Sequence, residues 1–210
     1  MDNLIHGFEH HKFAIPLAPQ FDLVGRIDAE GRWEPDYGRQ AQRHGFGYDH
    51  KRRVLYPLAP FPDWLQALAG LIRDRGWMRT PPDQATVQWY SRQSYIDGHI
   101  DDPKCFQEDI ATISLASSAL YWLSDGARAS MHVVEPGDVV VLRGDARKSW
   151  KHGVARPKLN DKLEAGSARI VTEHGSPRLE LGVRPGEKAG WRRLSVTFRS
   201  IFPDRIAPDR

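Results

Sequence analysis

Cysteine is nearly absent: Cys105 is the only one in 210 residues. No intrachain disulfide can form and no thiolate zinc cluster can be built, so any metal site must come from His, Asp and Glu. No stretch approaches the roughly 20 apolar residues of a membrane span. The opening "MDNLIHGFEHHKF" has no basic-then-apolar signal pattern. These absences predict a soluble, cytoplasmic protein without membrane contact. Internal repeats and low-complexity tracts are missing too. Excess charge is slight, with 30 Lys and Arg against 27 Asp and Glu, a net of +3. That balance permits contact with phosphate backbones without requiring it.

What is present suits one globular unit. Forty per cent hydrophobic residues, seven of them Trp, suffice for a full core. The expected organisation is a single monomeric domain over 1–210. Residues 1–80 would form an N-terminal extension with a lid and a helix, and 81–202 a β core interrupted at about 156–190. In the first part, "FDLVGRID" and "GFGYDHKRRVLYPL" look like strands. "FPDWLQALAGLIRDRGW" reads as a helix, with Pro62 and Asp63 in its first turn, an apolar face of Trp64, Leu65, Leu68, Leu71 and Ile72, and Gly76 as its stop. Beyond "TPPDQ" come "ATVQWY", "DIATISLAS", "ALYWLSD", "ASMHVVE", "DVVVLRG", "SWKHGVA" and "WRRLSVTFRSIF", short and separated by turn residues. Seven such strands imply a mainly β fold with flanking helices, a sandwich or barrel of jelly-roll type. In the insertion, "RIVTEHGSPRLELGV" reads as a hairpin around Gly175, Ser176 and Pro177.

The chemistry begins at "DGHIDDP". His99 and Asp101 stand two apart, on one face of an extended chain. They are either a metal clamp or two polar side chains sharing a strand. A facial triad on Fe(II) needs a second histidine from a distant strand. Of the nine histidines His152, in "SWKHGVA", fits best; its other reading is an edge histidine bonded to backbone. Near the C-terminus Arg193, Ser195, Thr197 and Arg199 alternate along one strand face. Arginines pointing into a barrel need an anion, and a dicarboxylate matches their forks. Pointing outward, they would simply be solvated.

"HID", then "GDVVVLRGDARKSWKHGV", then "RRLSVTFR" resemble, in that order, the AlkB family of Fe(II)/2-oxoglutarate dioxygenases, from about residue 45 to 202. The segment "PDQATVQWYSRQSYIDGHIDDPKCFQEDIATISLASSALYWL" is most similar to the oxygenase domain of the tRNA wobble-uridine hydroxylase branch. The resemblance implies a double-stranded β-helix (jelly-roll) core that uses Fe(II), 2-oxoglutarate and O2. It implies His99, Asp101 and His152 as iron ligands and Arg193, helped by Tyr90, on the distal carboxylate of 2-oxoglutarate. It puts Arg199, Gln88 and Ser195 near the co-substrate or the iron ligands. Gln88 and Ser195 each stand where the family commonly has Asn, and Pro103 stands where it often has an acidic residue for the base. The implied reaction is oxidative demethylation of alkylated bases in single-stranded DNA or RNA, with tRNA possible. The alternatives are hydroxylation of a wobble-uridine side chain, oxidation of a substrate other than nucleic acid, and a binding module that has lost turnover. Phe46, Tyr48, Trp89 and His132 are candidate base-stacking aromatics. His50, Lys51, Arg52 and Arg53 are candidate phosphate contacts, and Arg147 a candidate substrate contact that could equally hold an aspartate.

Overall fold

The protein is described here from a computed structural model that covers residues 5–156, 167–173, 176–182 and 192–207. Its elements run β1 (Phe8–His11), α1 (Leu17–Glu30), β2 (Glu34–Asp36), β3 (Arg39–His44), β4 (Phe46–Asp49), β5 (Val54–Pro57), α2 (Asp63–Asp74), β6 (Gln84–Tyr90), β7 (Ile96–His99), β8 (Phe106–Leu115), β9 (Ala119–Ser124), β10 (Ala129–Val134), β11 (Val139–Leu142), α3 (Gly144–Lys148), β12 (Lys151–Val154), β13 (Ser167–Glu173), β14 (Ser176–Gly182) and β15 (Arg193–Ile201). A seven-stranded sheet has the order β1-β11-β8-β15-β6-β3-β2, and a four-stranded sheet the order β10-β9-β12-β7. All named ladders in both are antiparallel. The expected jelly-roll class, mainly β with flanking helices, holds.

Alternation along the strands decides the layers. One face of the large sheet presents Ala85, Val87, Ala111, Ile113, Val139, Val141, Leu194, Val196 and Phe198, all buried. Leu23 and Ile27 of α1 and Trp64, Leu65, Leu68 and Ile72 of α2 close over it. Each such side chain, fully buried, contributes about 1.5–3 kcal/mol. The other face of the same sheet is polar over part of its area. Tyr90, Gln88, Thr86 and Gln84 stand opposite Arg193, Ser195, Thr197 and Arg199. Its remaining apolar area, including Ile110, Val140 and Leu142, meets Tyr121, Leu123, Val134 and Val154 of the small sheet. The polar area, which only one sheet face can supply, is where a site can form.

Residues 1–80 do more than form a lid and a helix: β1 pairs with β11, and β3 with β6, so the extension builds both sides of the large sheet. "FDLVGRID" lies inside α1 and is not a strand. Phe21, Leu23 and Ile27 would share one face of a strand, but on the helix Leu23 and Ile27, one turn apart, are buried with Gln20 while Phe21 is exposed. Gly31, at φ 61°, ends the helix in the left-handed conformation that glycine accepts. "GFGYDHKRRVLYPL" folds as the β4–β5 hairpin, with Phe46 opposite Pro57 and Asp49 opposite Val54. The helix read in 61–77 is α2. The seven strands read after residue 83 are β6, β8, β9, β10, β11, β12 and β15. In the insertion, β13 and β14 pair from Ser167↔Gly182 to Glu173↔Ser176. Ser176 and Pro177, expected in the turn with Gly175, are paired residues of β14, while Gly175 and most of the rest of the insertion lie outside the described residues. No helix among the described residues is long and apolar enough to cross a membrane.

Candidate functional site

β7 and β12 are antiparallel neighbours, and His99 stands directly opposite His152. Such a pair shares a face, and the two ring centroids lie 4.4 Å apart. Asp101, two residues on, brings its Oδ2 to 3.2 Å from His152 Nε2. One ligand atom from each of the three lies within 4.8 Å of the others. His99 Nδ1 is 3.0 Å from the Asp97 carbonyl. A proton on that nitrogen leaves Nε2 free to ligate. Asp101 Oδ2 and His152 Nδ1 are buried and have no hydrogen-bond partner in the described structure. An anionic oxygen without a donor, beside two imidazoles, fits a divalent cation of the Fe(II) type.

Several groups hold this cluster. Arg199 donates to Asp101 Oδ1 from Nε at 2.7 Å and lies 2.6 Å away through Nη2. Arg147, 1% exposed, donates to the carbonyls of Asp101 at 2.8 Å, Phe106 at 3.1 Å and Gln107 at 3.3 Å. Burial alone would raise the Asp101 carboxyl, but the Arg199 guanidinium, with the two histidines, outweighs it and holds the group well below the usual carboxylate range. Burial, helped by His152, pushes the His99 imidazole down, so it stays neutral and able to ligate. On the outer side, the Trp122 indole crosses both glycines that flank the histidines. A Cβ on Gly98 would collide with Trp122 Cη2, and one on Gly153 with the Ile96 carbonyl oxygen and Trp122 Nε1.

The second centre is Arg193, 2% exposed on the polar face of β15. Its Nη2 donates to Ser114 Oγ at 3.0 Å, and its guanidinium lies 4.8 Å from the Tyr90 ring centroid. Nε and Nη1 have no hydrogen-bond partner in the described structure. Two buried donors on one fork fit a carboxylate, such as the distal end of 2-oxoglutarate. The Tyr90 hydroxyl donates to Gln88 Oε1 at 2.8 Å, and Gln88 Nε2 to Asp36 Oδ2 at 3.3 Å. Ser195 is buried opposite both Gln88 and Ser114.

A cavity of about 650 Å³ opens onto His99, Asp101 and Arg199. Gln84, Thr86 and Gln88 form one wall, and Tyr48, His50 and Arg53 another. Two expected substrate contacts are placed elsewhere. Phe46 packs with Leu55, Cys105, Phe106 and Ile201 and does not line the cavity, whereas Tyr48, two residues on along the same face of β4, reaches it. Arg147 is fully engaged by three carbonyls and does not line the cavity. Trp89 lies on the helix-covered sheet face. His132 sits against Phe8, with centroids 4.4 Å apart. Of the basic run, Arg53 is held by Asp102. Sequence reasoning missed Asp36, buried and ion-paired to Arg39 at 3.0 Å and Arg43 at 2.6 Å on the cavity wall. The alternation of Arg39 and Arg43 along β3, just after that aspartate, was the available signal.

Comparison with known proteins agrees with this geometry. The profile of the 2OG-Fe(II) oxygenase superfamily matches residues 27–199. The chain is 25% identical over 171 residues to the tRNA (carboxymethyluridine(34)-5-O)-methyltransferase ALKBH8 of Mus musculus, covering 78% of this chain and 24% of that protein. It thus spans about a quarter of the length of the ALKBH8 proteins it matches. It is 24% identical over 195 residues to uncharacterized protein L905 of Acanthamoeba polyphaga mimivirus, covering 89% and 81% of the two chains. Among solved structures, OsALKBH1 superposes with a TM-score of 0.62 at 19% identity, over 94% of this chain and 98% of that one. A Pseudomonas putida prolyl-4-hydroxylase superposes with a TM-score of 0.56 at 15% identity, over 94% of each chain. With a matching profile over most of its length and a jelly roll that gathers two histidines and an aspartate, this chain belongs to the 2OG-Fe(II) oxygenase superfamily and uses Fe(II), 2-oxoglutarate and O2.

Proposed function

We propose that the chain oxidises an N-alkyl substituent on a nucleobase in single-stranded DNA or RNA, releasing formaldehyde, succinate and CO2. The observation that carries this reading is the cavity that opens directly onto His99 and Asp101 of the metal-ligand cluster, with Tyr48 and His50 on its outer wall. Its volume suits a small flat group, and a base must leave its stack to reach a buried metal. Fe(II), with 2-oxoglutarate and O2, supplies the oxidising power to hydroxylate an unactivated C–H bond. The protein's own residues do the rest. His99, Asp101 and His152 would hold the ion, and Arg199 keeps Asp101 ionised and aimed. Arg193 would fix the distal carboxylate of the co-substrate, with Gln88 and Ser195 shaping the floor beside it. Tyr48 offers the base a ring face. A hydroxylated N-methyl group is a hemiaminal, which loses formaldehyde without further help from the protein. Residues 1–80 and 81–202 act together in this reading, the first closing the cavity that the second floors.

A second reading, hydroxylation of a wobble-uridine side chain in tRNA, is favoured by the similarity to the ALKBH8 proteins, which are named as methyltransferases of carboxymethyluridine 34 in tRNA. One experiment separates the two. Protein with Fe(II) and 2-oxoglutarate is mixed anaerobically, the visible charge-transfer band of the chelate is recorded, and O2 is admitted with methylated single-stranded DNA, RNA or tRNA. Formaldehyde formed in step with succinate supports demethylation. A stable hydroxylated nucleoside without formaldehyde selects the second reading. No nucleic-acid product with any substrate overturns both.

A further inference from the structure

Asp101 and Asp102 are consecutive, yet their carboxylates serve different partners. That of Asp101 meets Arg199 and His152. That of Asp102, a residue only 8% exposed, meets the tip of the β4–β5 hairpin. Arg53 Nε donates to its Oδ2 at 2.7 Å and Nη2 to its Oδ1 at 2.8 Å, a bidentate fork. The Tyr48 hydroxyl donates to Oδ2 at 2.7 Å, and the Lys104 amide to Oδ1 at 2.9 Å.

The hairpin depends on this contact. β4 and β5 form a two-stranded sheet of their own, outside both large sheets. An isolated two-stranded hairpin is at best marginally stable in water. Its base is tied by Gly45 and Leu58, through the Gly45 amide to the Ala59 carbonyl and the Leu58 amide to the Gly45 carbonyl, and by a bridge from Leu55 to Ile206. Its far end carries Tyr48, His50 and Arg53, which line the cavity. There the polar anchor is Asp102, with the Tyr48 ring resting edge-on against Phe106 at 5.5 Å between centroids. Arg53 adopts φ 56°, a conformation L residues seldom take, and its carbonyl also accepts from Cys105 Sγ. Backbone strain at a residue whose guanidinium is gripped at both nitrogens indicates a contact that fixes the turn rather than one that follows from it.

We propose that Asp102 is a positioning residue: it pins the β4–β5 hairpin to the chain segment that carries Asp101, and so fixes the substrate wall of Tyr48 and His50 relative to the metal ligands. The inference rests on the reading of this cavity as the substrate's. It also gives Arg53 a role other than phosphate contact, since its fork is occupied.

The test uses the full chain and the variants Arg53→Met and Asp102→Asn. The first readout is hydrogen exchange across 46–57, which needs no substrate. The second is the split between the KM for single-stranded nucleic acid and the KM for 2-oxoglutarate. Exchange in the hairpin should quicken about tenfold or more in both variants, as loss of a charge-assisted bidentate contact implies. The nucleic-acid KM should rise by a similar factor while the 2-oxoglutarate KM of Arg53→Met stays within about twofold. Arg53→Lys, which keeps the charge and loses the fork, should fall between. Unchanged exchange in both variants overturns the proposal. A 2-oxoglutarate KM in Arg53→Met that climbs in step with the nucleic-acid KM also overturns it, because Arg53 would then be supporting the metal loop itself. Should the wild-type protein turn over no nucleic acid, it is the reading of the cavity that fails, and hydrogen exchange alone decides the role of Asp102.

Discussion

Arg193 and Asp101 are a buried cation and a buried anion, and the fold treats them differently. Arg199 answers Asp101 through two nitrogens. Arg193 has one hydroxyl, from Ser114, and the face of Tyr90. A buried charge left half-answered is costly unless a ligand completes it, which is why the assignment of Arg193 to the co-substrate makes a sharp prediction. Arg193→Ala should raise the 2-oxoglutarate KM by about 10- to 100-fold, the value of one or more charge-assisted hydrogen bonds. Arg193→Lys, with charge but no fork, should recover only part of it. Steady-state succinate formation at varied 2-oxoglutarate measures both, and an unaltered KM in Arg193→Ala would place the carboxylate elsewhere. Asp101 predicts a different pairing of effects. His99→Ala should abolish the Fe(II)–2-oxoglutarate absorption band with little loss of stability. Asp101→Ala should abolish the band and also strand Arg199, whose side chain is 14% exposed, at a cost of about 3 kcal/mol. Chemical denaturation of the two variants without metal separates them; equal stability would show that Arg199 does not depend on Asp101.

The metal cluster depends equally on how two strands approach each other. β7 and β12 meet at Gly98 and Gly153, and Trp122 of β9 lies over both. The obstacles to added side chains differ in kind. At Gly98 the nearest atoms to an added Cβ all belong to the Trp122 ring, whereas at Gly153 the nearest is the Ile96 backbone carbonyl oxygen. Gly98→Ala and Gly153→Ala should each cost about 1–3 kcal/mol through overpacking and weaken Fe(II) binding by spreading His99 from His152. Adding Trp122→Leu should restore iron affinity in Gly98→Ala and fail to do so in Gly153→Ala. Iron titrations that show both doubles rescued, or neither, would remove Trp122 from this account. None of this was readable in the sequence, because a glycine beside a metal ligand has the same letter whether it turns the chain or admits an indole. The strands themselves were readable wherever apolar alternation was regular, as in β6, β8 and β15. So was the order of His99, Asp101, His152 and the two arginines, since each stands in a motif of neighbouring residues. Reading failed where local pattern and tertiary burial disagreed. "FDLVGRID" offers Phe21, Leu23 and Ile27 to one face of a strand but folds as a helix that buries Leu23 and Ile27 and exposes Phe21, and Phe46 is as aromatic as Tyr48 and shares its face of β4 yet does not reach the cavity. The Asp36, Arg39 and Arg43 network was hidden because its parts belong to β2 and β3, which join the large sheet through β6, far along the chain.

At the level of the whole molecule, the N-terminal strand is held where the two sheets adjoin, and the buried titratable groups of this seam predict that acid weakens it. β1 extends the large sheet beside β11, while Phe8 rests on His132 of the small sheet. Asp138, whose side chain is fully buried, accepts hydrogen bonds from His10 Nε2 at 2.8 Å and the amides of Phe13 and Glu135 at 2.9 Å, with Lys12 Nζ at 3.1 Å. Burial would raise its carboxyl, but these donors outweigh burial and hold it below the usual carboxylate range. Burial, aided by the neighbouring His10 and Lys12, pushes the His132 imidazole down to about 4. Both groups therefore have folded-state values below their unfolded ones. The unfolded chain takes up the proton first as pH falls, so each contributes stability at higher pH and loses it on acidification. For His132 the loss begins near its unfolded value of about 6.5 and is complete below about 4, with Asp138 following at lower pH. For a ring that is only partly buried, the His132 contribution is about 2 kcal/mol after allowing for solvent screening. His132→Phe, which keeps a ring against Phe8 and cannot be protonated, should flatten the fall in unfolding free energy between pH 7 and 4.5 by about that amount. It should not abolish the fall, because burial also pushes His44 and His99 down and they titrate in the same direction. Denaturant unfolding at a series of pH values gives the slope directly. A variant whose slope matches the wild type would show that the seam's acid response belongs to Asp138 and its partners, and that His132 is already free to take its proton in the folded protein.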